Sequence, residues 1–168
     1  MFAYLHSTIK NSAIFANTKQ NIIMEQYSDF TCEMLPPSWH YCFLDGCPKA
    51  DQCIRHLSSR VIPDKDTIGY AILPTALKGG KCPHFKQIRK IRVAYGFKTL
   101  FEDVKRKDDT PLRDQLKAYL GSHGAYYRYN NGTKLLTPEQ QQHILNIFRQ
   151  WGYTTNLTFD HYRDVYDV

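Results

Sequence analysis

Four of the five cysteines stand where soft metal ligands would. Cys42, Cys47 and Cys53 lie within twelve residues, in YCFLDGCPKADQCIRH, and Cys82 follows after twenty-eight more, in GGKCP. Thiolates are strong donors to zinc and iron, and a tight local group closed by one remote ligand is a common way to complete a four-ligand site. Cys47 and Cys82 are each followed by proline, as at many iron–sulfur ligands, where the ring stiffens the exit and removes an N–H. The gaps of four and five residues depart from the shorter, repeated spacing of structural zinc sites. That leaves a 4Fe–4S cluster slightly ahead of zinc. His40, His56 and His84 flank the cysteines and keep a mixed Cys/His zinc site open.

Two other readings compete. Cysteine is a small hydrophobe and among the most buried residue types, so plain core packing is the ordinary alternative. Thiol redox chemistry is the third. An odd total of five excludes a fully paired disulfide framework. Cys32 is the spare, set apart from Cys42 by Pro36-Pro37. Catalytic signatures are missing from the sequence: it contains no glycine-rich phosphate loop, no HExxH and no G-x-S-x-G. Asp45, Asp51, Asp64 and Asp66 show no spacing that separates a catalytic pair from loop acids. The balance leans away from an enzyme.

A basic stretch, HFKQIRKIRVAYGFK, carries Lys86, Arg89, Lys90 and Arg92 among aromatic residues, and the chain has a formal charge of +6. Cations neutralise phosphates and aromatics stack on bases, so a nucleic-acid partner is the second candidate, beside a protein partner. On a strand Arg89 and Lys90 point to opposite faces, which leaves solvated surface charge as the simpler account.

These residues need elements to hold them. With 42% hydrophobic and 14% aromatic residues, the chain can build a core. No apolar run reaches bilayer length, and the N-terminus lacks the basic-then-apolar pattern of an export signal, so the expectation is a cytoplasmic protein with no membrane span. Without that signal, the NGT at 131–133 and NLT at 156–158 read as chance matches to the glycosylation pattern. Residues 1–23 show little period and are expected to be a poorly ordered or mis-annotated extension.

Residues 24–87 form a loop-rich, cysteine-bearing region, with helix over 49–61 and a short strand in Thr67–Leu73. Residues 88–168 read as regular structure, in which 87–95 is a strand and 98–106 a helix. Thr110-Pro111 has the pattern of an N-cap and first helical residue, and Leu112, Leu116 and Leu120 would line that helix. AYYRYNNGTKLL has the signature of a hairpin. Thr137-Pro138-Glu139-Gln140 matches a capping box ahead of Ile144, Ile147 and Phe148. Asp160 would cap a last short helix. The expected class is α+β: a loop-rich cysteine-organised half packed on a mostly helical half with a short β-hairpin. The order of elements in the second half is similar to that of winged DNA-binding domains, an analogy of topology alone.

In WHYCFLDGCPKADQCIRHL, GGKCPHFK and LLTPEQQQHILNIFRQWGY, the chain resembles an uncharacterised family of bacterial domains of unknown function, over about residues 24–168. The resemblance implies a bacterial, cytoplasmic protein and no particular reaction. The expected function is therefore non-enzymatic or regulatory metal binding, with Cys42, Cys47, Cys53 and Cys82 holding a 4Fe–4S cluster or zinc. A nucleic-acid module or a thiol redox enzyme is the alternative.

Overall fold

The computed structural model describes residues 25–168, so the expectation for 1–23 lies outside the described residues. Contacts divide the chain into two compact units, one ending at Ile88 and the other spanning Arg89–Asp167. Among the described residues no helix is long and apolar enough to cross a membrane.

The first unit is held by short elements. Strand β1 (His40–Cys42) runs parallel to β2 (Tyr70–Ile72), pairing His40 with Tyr70 and Cys42 with Ile72. The helix expected over 49–61 is broken at Cys53 into a 3-10 turn, Ala50–Gln52, and helix α1, Ile54–Ser58. Ile54 and Leu57 of α1 are buried with Phe30 and Trp39. The Trp39 indole N–H donates to Ser58 Oγ at 2.8 Å, which gives this aromatic a polar partner inside the core.

The second unit pairs β3 (Lys90–Tyr95) with β4 (His161–Tyr166), antiparallel from Lys90↔Tyr166 to Tyr95↔His161. Between them run four helices: α2 (Lys98–Phe101), α3 (Arg106–Leu120), α4 (His123–Asn130) and α5 (Pro138–Gln150). Their apolar faces meet in one core built on Phe97, Leu112, Leu116, Leu136, Ile144 and Phe148, each fully enclosed. The class is α+β, as the sequence suggests. The α5 capping box is present in both directions, with Gln140 N–H donating to Thr137 Oγ1 and Thr137 N–H to Gln140 Oε1.

Four expectations are corrected. The helix assigned to 98–106 stops at Phe101. Helix α3 begins at Arg106, so Thr110 is no cap and Pro111 sits inside the helix. An interior proline costs about 3 kcal/mol. Complete burial of Leu112 and Leu116 stabilises by a similar or larger amount, at about 1.5–3 kcal/mol each, and Asp108 and Asp109 suit the positive end of the helix. The hairpin expected in AYYRYNNGTKLL is helix α4 followed by a single bridge, Leu136 to Ala94. Ser122 caps α4 by accepting from Ala125 N–H at 3.0 Å, and the helical turn buries Ala125 and Tyr126 together. Without that hairpin the likeness to a winged domain lapses. Lastly, 161–166 is strand β4 rather than a helix. Asp160 does cap a helix, but a distant one: it accepts from Lys98 and Thr99 N–H at the start of α2.

Candidate metal centre

Four backbone segments deliver the cysteines to one place. Cys42 ends β1. Cys47 sits in a pair of turns, its N–H bonded to Leu44 O and its carbonyl accepting from Ala50 N–H. Cys53 opens α1, its carbonyl taking the N–H groups of His56 and Leu57. The remote Cys82 is brought back because 86–88 runs beside 52–54: Ile54 N–H donates to Lys86 O at 2.8 Å and Ile88 N–H to Gln52 O at 2.9 Å. All four cysteines line one cavity of about 20 Å3, together with apolar Ala50, Ile72 and Phe85 and the basic side chains Arg55, His56 and His84. Cys53 is buried and the other three are half-buried.

Burial pushes the Cys42 thiol up; the Leu44 amide opposes this, and Cys53, Cys47 and Cys82 add to the rise. Four anionic sulfurs cannot share so small a space unless a cation offsets them, so in the absence of one Cys42 is a neutral thiol. Cys32 lies outside this group: burial and its neighbours Glu33 and Asp66, not the other cysteines, raise its thiol. All five cysteines are free of disulfides. Among the described residues, no three His, Cys, Asp or Glu side chains are already set in ligand geometry around a common point. The four cysteines therefore share one cavity without forming a metal-holding group among the described residues.

His56 is buried and anchored, with Nε2 3.2 Å from Asp45 Oδ1 and 3.4 Å from Arg60 Nη2, which also reaches Asp45. The bond to His56 holds the Asp45 carboxyl below the usual range; burial opposes it and Arg60 reinforces it. A carboxylate on one ring nitrogen, leaving the other free, is the usual arrangement around metal-ligating histidines. The spacing of Asp45 in the sequence gives no sign of this pairing.

A family model matches residues 24–168, nearly the whole chain. The chain belongs to DUF6078, a family of unknown function. Among curated proteins and among solved structures nothing matches it. Membership of DUF6078 thus brings no ligand or reaction with it, and the residues themselves must carry the functional reading.

The basic stretch crosses the boundary between the two units. Lys86 belongs to the first unit, while Arg89, Lys90 and Arg92 belong to the second. Arg89 is paired with Asp167 at 2.6 Å. Lys90 and Arg92 lie over the rings of Tyr166 and Tyr162, at 4.9 and 5.0 Å. These three cations are thus engaged with their own β-sheet.

Proposed function

We propose that the first unit is a non-enzymatic metal-binding module in which Cys42, Cys47, Cys53 and Cys82 hold a single zinc ion, with His56 and His84, which line the same cavity, as alternative donors. The observation that carries this is the convergence of all four thiols on one cavity of about 20 Å3. About 10–15 Å3 suffices for one water-sized occupant, so the space suits one ion. A 4Fe–4S cluster, with eight core atoms, would require the walls to move apart, which puts it second. Core packing alone accounts poorly for the same feature, since filler side chains close voids rather than ring them.

The test is anaerobic purification followed by metal and sulfide analysis of the full chain and of single serine variants. One equivalent of zinc in a colourless protein is the expected result. Serine at Cys42, Cys47, Cys53 or Cys82 should lower that content sharply and loosen the first unit, because a structural ion's binding energy is folding energy. Cys32→Ser should do neither. A brown protein containing iron and sulfide would replace zinc by the cluster. A metal-free protein whose serine variants all keep full stability would refute metal binding altogether.

A further inference from the structure

Beside the thiol cavity the first unit carries a far larger cleft, of about 940 Å3, within the range of small-molecule sites. Its cationic lining comprises Arg55, Lys78 and Lys81, with His40 and His84, and no Asp or Glu lines it. Ile72, Leu73 and Ala76 supply an apolar side.

The two lysines are held together by the backbone. Lys78 N–H donates to Lys81 O and Lys81 N–H to Lys78 O, both at 3.0 Å. Between them Gly79 and Gly80 have φ of +55° and +75°, a tight turn of the primed kind that only glycine pairs and a few polar residues tolerate. Residues that exchange both bonds stand directly opposite, with side chains on the same face. Like charges so placed repel. Among the described residues neither lysine forms an ion pair that would relieve this. A local conflict of this kind, kept without visible compensation, is where a ligand is expected.

Arg55 supplies a second, independent observation. Its guanidinium lies 4.4 Å from the Trp39 ring centre and Nη1 donates to His40 O at 3.0 Å, which fixes the fork in place. Its Nε is buried and has no hydrogen-bond partner among the described residues, and the side chain lines both this cleft and the thiol cavity. Orphaned buried donors are rare, and a guanidinium matches phosphate oxygens in pairs.

We propose that this cleft binds a small molecule through a phosphate group, with Lys78 and Lys81 neutralising the charge, Arg55 donating a further contact, and Ile72 and Leu73 receiving the apolar part. None of the three cations is a metal donor, but the cleft adjoins the proposed zinc site and shares Cys82, His84 and Arg55 with its cavity.

Titration calorimetry on the full chain with pyrophosphate at low salt is the test, alongside a single-stranded oligonucleotide and the double variant Lys78→Gln/Lys81→Gln. Both lysines are exposed, so the variant should melt like the parent. Saturable one-to-one pyrophosphate binding, weakened about tenfold or more in the variant, is expected from the loss of two charge-assisted contacts. No binding by the parent chain would overturn the proposal. So would equal binding by the variant, the result if a bound metal alone held the pyrophosphate. Oligonucleotide affinity exceeding that for pyrophosphate, and lost in the variant, would overturn the small-molecule assignment.

Discussion

Replacing Asp160 by Ala removes a cap that acts across the second unit. Asp160 Oδ1 accepts from Thr99 N–H at 2.7 Å and Oδ2 from Lys98 N–H at 3.0 Å, while Phe97, the residue before α2, offers no side-chain cap of its own. The approach is close enough that position 96 must be glycine: a Cβ there would run into the Asp160 carboxylate, and φ is +85°. Loss of a cap costs about 1 kcal/mol, and a shielded N–H left without a partner costs about 1–3 kcal/mol. Only the Thr99 amide is shielded, so Asp160→Ala should destabilise by about 2–3 kcal/mol in total. That is a fall of roughly 10–20 °C in Tm for a unit of this size. The charge can be isolated with Asp160→Asn. Burial alone would raise the Asp160 carboxyl, but the Thr99 and Lys98 amides outweigh it and hold the group below the usual carboxylate range. A depressed carboxyl contributes stability that is complete above its unfolded pKa of about 3.9 and is lost as pH falls through the lower folded value. The gap between wild type and Asp160→Asn in urea unfolding should therefore be widest near neutrality and close in acid. An Ala variant within about 0.5 kcal/mol of wild type at neutral pH, or a gap to Asn that ignores pH, would refute the reasoning.

Two smaller perturbations probe each unit. Thr137→Ala breaks half of the capping box at the start of α5 and should cost about 1 kcal/mol in thermal or urea unfolding, whereas an unchanged melt would mean that burial of Ile144 and Phe148 alone holds this end. Ser58→Ala leaves the buried Trp39 N–H without its acceptor and should cost about 1–3 kcal/mol, read by the tryptophan emission of the first unit; an unshifted unfolding midpoint would show that the hydrogen bond adds nothing.

What the sequence disclosed follows the range of the interactions concerned. The α5 start was readable because Thr137 and Gln140 act over three residues. Asp160 announced itself as a cap, yet its helix lies some sixty residues earlier in the chain, and only the β3–β4 pairing brings the two together. The Tyr-rich run in α4 has strand-like composition; a local bond at Ser122 and the burial of Tyr126 outweigh it. The grouping of Cys42, Cys47 and Cys53 could be seen directly, and Gly79-Gly80 marked a turn before Cys82. Neither revealed that 86–88 would be bonded to 52–54, or that the same turn would set two lysines face to face.

The two units differ in how they can be stabilised, and this bears on why thiols gather in one of them. The second has a core of twelve buried residues, helices capped by Ser122, Thr137 and Asp160, and a six-residue strand pair. The described part of the first has strands of three residues, a five-residue helix, and a core resting on Phe30, Trp39, Ile54 and Leu57. It also leaves Phe43, Ile68, Tyr70 and Leu73 largely exposed, so much of its apolar surface contributes little to folding. A core of few large apolar side chains is commonly supplemented by disulfides or a metal. None of its five cysteines is in a disulfide, and the proposed metal would serve in place of one. A zinc ion held by the four thiols would tie together β1, the 47–50 turns, α1 and the turn before His84, and the second strand is already paired to β1 at Cys42↔Ile72.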